Sequence, residues 1–180
     1  DLIPDAAGTQ RLPRLVGMVA AIDIACAGKI VKADEMLALG GIDVVAEDLN
    51  AAVAAFVADL PERPAAVRLR EVPPFAADLI DTKRAELTKR AKGQQSPLEN
   101  LTALQWALTP FAEGQPKERA RHLELRQSAE SRALRHAFFA ERQVSKPSAI
   151  KDAKPREITA LVDVGGGLMG AGIATAVLNA

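Results

Sequence analysis

Tyrosine is absent from this 180-residue sequence, and aromatic residues of any kind make up only 3% of it. Sandwiches and barrels draw on β-branched and aromatic strands, so an all-β architecture is not expected. The single cysteine, Cys26, cannot form an internal disulfide, which excludes an oxidised, disulfide-stapled scaffold. No run of about 18 uninterrupted apolar residues occurs, which argues against a membrane span. No signal peptide is evident, and a reducing cytoplasm is the expected location. A surplus of charge is missing too, since 23 basic and 23 acidic side chains cancel. What abounds is alanine, the best helix former, at 35 residues. The length suffices for one ordinary domain, or two small ones, with a real core. The sequence opens on Asp1 rather than methionine and closes inside an unfinished motif, as expected of a piece of a longer protein.

The charges are unevenly spread. Residues 1–60 carry four basic against nine acidic groups, residues 62–92 eight against five, and residues 117–146 eight against four. The basic residues alternate with acidic ones, and no aromatic run interleaves them. Solvated helix faces laced with i,i+4 pairs are therefore expected, not a nucleic-acid surface.

Helix punctuation predicts the elements. Thr9 caps a turn through Leu12–Val16 that Gly17 ends, and a second helix runs from Met18 to Ala27 and closes at Gly28. Lys32–Leu39 stops at Gly40-Gly41, Ile42–Val45 is strand-like, and Leu49–Leu60 is an alanine-rich helix. Pro61, Pro64, Pro73 and Pro74 mark an extended linker. Phe75–Lys92 is amphipathic and charged. Ser96 followed by Pro97 caps a helix running to about Leu108. Glu118–Arg126 and Ser128–Arg142 follow, with Leu134, Ala137, Phe138 and Val144 along one face. Lys146-Pro147-Ser148 and Lys154-Pro155 form a polar linker. Ile158–Val164 then reads as β, and Leu168–Leu178 as helix.

The tail carries the most chemistry. Gly165-Gly166-Gly167-Leu168-Met169-Gly170 has the spacing G-x-G-x-x-G directly after the expected strand and at the mouth of the expected helix. In a dinucleotide site the first glycine permits the tight turn and the second lets backbone approach a pyrophosphate. The third lets helix pack on strand, and the helix amides favour the phosphate charge. A glycine-rich turn in some other α/β unit is the alternative. The acidic residue that grips the ribose, due about 20 residues further on, falls past Ala180. Other candidates read as structural. His122 and His136 lack partners at metal-ligand spacing. Cys26 between Ala25 and Ala27 is a buried thiol, and Trp106 and the Phe138-Phe139 pair are core anchors. Arg11 and Arg14 either meet phosphates or serve helix ends.

The head, Ile3-Pro4-Asp5-Ala6-Ala7-Gly8-Thr9-Gln10-Arg11-Leu12-Pro13-Arg14-Leu15-Val16-Gly17, resembles the enoyl-CoA hydratase/isomerase (crotonase) family. Ala27–Glu35 and Leu39–Asp43 are similar to that family's next segments. Asp5 and Ala7 stand where the family has glycine, the first of these beside the hydratase active site. Phe111-Ala112-Glu113-Gly114, Glu118 and Ser131–Arg142 resemble the linker of fused β-oxidation enzymes. The tail from Gly165 to Ala174 resembles the opening of their 3-hydroxyacyl-CoA dehydrogenase, with Asp163 in place of an apolar strand residue. The resemblance implies a mostly α chain. It would comprise the C-terminal part of the hydratase domain (1–60), a helical linker (61–156) and the first βα unit of a Rossmann-type NAD-binding domain (157–180). It implies acyl-CoA and NAD as partners of the intact protein, with self-association or a thiolase alongside. The catalytic residues are expected upstream of Asp1 and downstream of Ala180, so the 180 residues alone are expected to be inactive. The rival reading is a non-catalytic helical interaction or oligomerisation module. A basic nucleic-acid binder is disfavoured by the zero net charge.

Overall fold

The computed structural model describes residues 2–144, 147, 153–154 and 157–179. The expected polar linker around Lys146, Ser148 and Pro155 lies largely outside them. Among the described residues the chain is helical and contains no strand. It divides into two compact units, Asp1–Phe139 and Ala140–Ala180.

In the first unit the elements in order are α1 (Gly8–Ala27), α2 (Ala33–Ala38), α3 (Leu49–Asp59), α4 (Leu79–Arg90), α5 (Ser96–Gln105) and α6 (Phe111–Gln127). Single 3-10 turns sit at Val67–Leu69 and Trp106–Leu108, and α7 (Ala129–Val144) begins in this unit. The core joins α1, α4 and α5. Met18, Ala21, Ile22 and Cys26 recur at three- and four-residue spacing and so form one stripe of α1. They pack on Ile80 and Leu87 of α4 and on Leu101 and Leu104 of α5. Each fully buried leucine contributes about 1.5–3 kcal/mol. A second, smaller cluster gathers Ile3, Ala103 and Leu125, with Trp106 against it. Polar ties hold α6 in place. The Arg121 guanidinium donates to both Glu99 oxygens at 2.6 and 2.9 Å, a two-pronged geometry suited to carboxylates. Glu99 first and Glu124 second raise the Arg121 pKa above its usual value.

Several expectations are corrected. Thr9 does not cap α1: Ala7 occupies the cap position, in the left-handed conformation, and Thr9 is buried as the second residue of the helix. Gly17 does break the helix, with φ 78° and ψ 164°, before it resumes to the left-handed Gly28. Gln95, not Ser96, occupies the cap position of α5. The charged helices make i,i+3 pairs (Lys83–Glu86, Arg121–Glu124) and links between elements, in place of the expected i,i+4 ladder. Ile42–Val45 is irregular, because four residues with no strand beside them cannot satisfy their backbone groups by pairing. Phe138 and Phe139 are exposed, edge to face with ring centres 5.3 Å apart, and anchor no core. Of α7 only Ser131 is buried; on its expected apolar face Leu134 is half-buried, and Ala137, Phe138 and Val144 are exposed. No residue of α2 or α3 is buried either, and Leu49, Val53, Phe56 and Val57 of α3 face solvent.

In the second unit, residues 158–164 form no regular secondary structure and are exposed. A segment of β-favouring residues forms a strand only with another to pair with, and none does so among the described residues. The helix α8 (Leu168–Leu178) has the bounds read from the sequence.

Cys26 is the buried thiol expected. Burial, and secondarily the Asp23 charge, pushes its pKa up to about 12. A free thiol ionises near 9, so the unfolded chain loses that proton first and stability falls as pH rises. Above about 9, each pH unit is expected to remove about 1.4 kcal/mol, up to about 12. Urea midpoints measured from pH 8 to 11 check this: the Cys26→Ala protein should lose the extra slope.

Candidate functional site

The glycine turn is built by local geometry. Gly165 has φ 131°, a conformation that side chains rarely adopt, and it turns the chain into α8. Gly167 occupies the cap position with no side-chain cap, so the first amides of α8 are not satisfied by a side chain. The Ala171 amide donates to the Gly167 carbonyl at 2.9 Å and closes the first helical turn. A Cβ added at Gly166 or Gly167 would meet nothing within 4 Å, so both present bare backbone to solvent. A Cβ at Gly170 would lie 1.7 Å from the Gly165 carbonyl oxygen, so the turn folds tightly back onto the helix there. The same position lies 3.3 Å from Oδ2 of Asp163, which places a carboxylate beside the first turn of α8. The structure thus brings Gly165 through Gly170 into one tight turn at the start of α8, with the Asp163 carboxylate at its edge.

The head forms a second constellation, in the first unit. Asp5 accepts a hydrogen bond from the Ala6 amide at 2.7 Å and one from Arg119 of α6 at 2.7 Å. The Ala6 amide first and Arg119 next hold its carboxyl below the usual carboxylate range. Ala6 and Ala7 are consecutive left-handed residues, φ 57° and 63°, a conformation that normally favours glycine. Glu118 is buried and accepts from Thr9 twice, at its amide (2.9 Å) and its hydroxyl. The neighbouring Gln10 donates to the Thr9 hydroxyl at 3.0 Å and to the Ala103 carbonyl at 2.9 Å. His122 sits one turn along α6, buried, with Nδ1 2.8 Å from the Ile3 carbonyl and Nε2 3.9 Å from Asp5. No metal-binding cluster exists among the described residues, and His136 is exposed.

Arg11 and Arg14 separate in role. Arg11 donates to the Ala6 carbonyl and lies 5.8 Å over the Phe111 ring. Arg14 is only 7% exposed and donates to the carbonyls of Gln10, Arg70 (2.9 Å) and Thr109 (3.2 Å). Desolvation holds its pKa below the usual value, yet a guanidinium stays charged. It lines an open cavity of about 900 Å³ that also receives Arg68, Arg70 and the first turn of α6. The sequence reading missed this cavity and the Thr9–Glu118 pair. Both join residues far apart in the chain, and the spacing of Arg68 and Arg70 in a proline-rich stretch carried the only local signal.

No family model matches the chain. It is 34% identical over 183 residues to the peroxisomal bifunctional enzyme of Danio rerio, an alignment covering 96% of this chain and 26% of that protein. It is 34% identical over 185 residues to the fatty acid oxidation complex subunit alpha of Shewanella amazonensis, covering 97% and 26%. Against the glyoxysomal fatty acid beta-oxidation multifunctional protein MFP-a of Brassica napus it is 34% identical over 190 residues, covering 98% and 26%. The chain spans about a quarter of the length of the curated relatives it matches. Along almost all of its length, then, the chain is a homologue of one segment of the fused, multifunctional fatty-acid β-oxidation enzymes.

Proposed function

We propose that this chain is the joint of a bifunctional β-oxidation enzyme, one that hydrates an enoyl-CoA and then oxidises the 3-hydroxyacyl-CoA with NAD. In this reading residues 1–60 end the hydratase domain, residues 61–156 are the helical linker, and residues 157–180 open the NAD-binding dehydrogenase domain. The observation that carries it is the continuous match of 96–98% of the chain to one stretch of such enzymes. A thiolase partner or self-association belongs to the same reading; the Shewanella relative is named as a subunit of a complex. Among the described residues no helix is long and apolar enough to cross a membrane. A cytoplasmic location is part of the proposal, although two relatives carry peroxisomal or glyoxysomal names.

The glycine turn fits a dinucleotide. Gly166 and Gly167 leave room for a pyrophosphate to reach backbone, the amides at the start of α8 face it, and Gly170 permits the tight return of the turn. NAD, when bound, supplies the acceptor for a hydride. Of these residues only Asp163 works against the fit, since its carboxylate repels phosphate and weakens the cradle.

A hybrid tests this. The 180 residues replace their counterpart in the Danio rerio relative, and crotonyl-CoA hydration and NAD-dependent oxidation of 3-hydroxybutyryl-CoA are both measured. The hybrid is expected to retain both. Gly167→Val puts a side chain where phosphate must meet backbone, so it should weaken NAD binding at least about 100-fold while hydration is unchanged. Unimpaired NAD binding by that variant would remove the dinucleotide assignment.

A further inference from the structure

The cavity beside α6 is independent of the glycine turn, and its wall has a definite chemical character. Three guanidiniums line it, from Arg14, Arg68 and Arg70, against a single carboxylate, Glu71. Arg14 is the most constrained: three carbonyl oxygens fix its plane, and no carboxylate among the described residues neutralises it. Arg68 and Arg70 are exposed and likewise have no acidic partner among the described residues. The start of α6 adds to this. Pro110 is its cap residue and offers no side-chain acceptor, and the Phe111 and Ala112 amides make no hydrogen bond among the described residues. An unsatisfied helix start attracts anions. Here it opens into the same cavity as the buried Arg14 guanidinium, whose charge is met by carbonyl oxygens and by no carboxylate among the described residues. Leu108 and Phe111 supply an apolar wall beside these charges.

We propose that this cavity binds an organic phosphate monoester. The phosphate sits between the amides at the start of α6 and the Arg14, Arg68 and Arg70 guanidiniums, and an apolar substituent lies against Leu108 and Phe111. Arginine suits phosphate because its planar fork offers paired donors. A cavity of about 900 Å³ is large enough for a whole small molecule. Arg14 positions the site through its carbonyl anchors, and the two exposed arginines supply mobile charge.

The test uses the full 180-residue chain, calorimetry and amide NMR, with phenyl phosphate as the probe and phenol as its uncharged counterpart at the same ionic strength. Phenyl phosphate is expected to bind and to shift the amides of Phe111 and Ala112. The double variant Arg68→Ala/Arg70→Ala should weaken it at least tenfold. Both side chains are exposed and have no ion-pair partner among the described residues, so the variant should fold, and an unchanged melting curve verifies this. Arg14 is left intact because its loss would disturb packing. Three results would overturn the site: phenol binding as tightly as phenyl phosphate, undiminished binding by the double variant, or shifts confined to the amides of residues 165–170. The last would assign the phosphate to the glycine turn instead.

Discussion

Gly114→Val is expected to destabilise the Asp1–Phe139 unit by about 3 kcal/mol, roughly a 10 °C fall in melting temperature. Helix propensity alone predicts the opposite sign, since glycine inside a helix is about 1 kcal/mol worse than alanine. Packing reverses it. A Cβ at Gly114 would lie 2.2 Å from the Gln10 amide oxygen and 2.6 Å from the Trp106 carbonyl oxygen. The second is backbone and cannot swing aside. The first belongs to a fully buried side chain held by Thr9 and Ala103, so displacing it breaks two buried hydrogen bonds. Gly114→Ala should already cost about 2 kcal/mol, and urea denaturation of both variants checks the series. A stabilised alanine variant would mean that propensity outweighs the close approach.

Glu118→Ala is expected to cost a similar amount, about 3 kcal/mol. It leaves the buried Thr9 amide and hydroxyl without an acceptor, and each unsatisfied group costs about 1–3 kcal/mol. Part of that loss is offset, because the alanine also removes a buried charge whose Oε1 has no partner among the described residues. Glu118→Gln keeps an oxygen for Thr9 and should lie within about 1 kcal/mol of the parent. If the glutamine variant is as unstable as the alanine one, the acceptor role is wrong. Gly114 and Glu118 are one helical turn apart and reach the adjacent residues Gln10 and Thr9. The double variant should therefore depart from additivity by about 1 kcal/mol, whereas distant pairs add.

The parts of this fold legible in the sequence are those set by neighbours in the chain. The bounds of α8 were readable because Gly165–Gly167 precede a run of helix formers, and α2 ends where Gly40-Gly41 follow it. The glycine turn was legible for the same reason, since the requirement for bare backbone is local. What escaped was set at a distance. Thr9 looks like a helix cap beside its own neighbours, but its hydroxyl is claimed by Glu118, 109 residues away. Residues 158–164 have strand-forming side chains, but a strand is a relation between segments and no second segment among the described residues pairs with them. Phe138 and Phe139 carry the composition of a core, yet both rings are exposed. The arginine-lined cavity arises from α1, the proline-rich stretch and the start of α6 together, so no window of sequence contains it.

The break at Gly17 has a consequence best put as phase. Successive residues of an unbroken helix advance by about 100°, so Arg14 and Ala21 would point within about 20° of each other. One stripe would then have to serve both a cation facing carbonyls and an apolar core. The extended ψ at Gly17 resets the count. Before it Thr9, Gln10 and Arg14 meet the polar partners Glu118, Ala103 and Thr109, and after it Met18, Ala21, Ile22 and Cys26 meet α4 and α5. No neighbouring atom stands within 4 Å of where its Cβ would be, so glycine is required there by its own backbone angles and not by a close neighbour. Its whole contribution is angular, and a single torsional joint lets twenty consecutive residues keep two separate rotations.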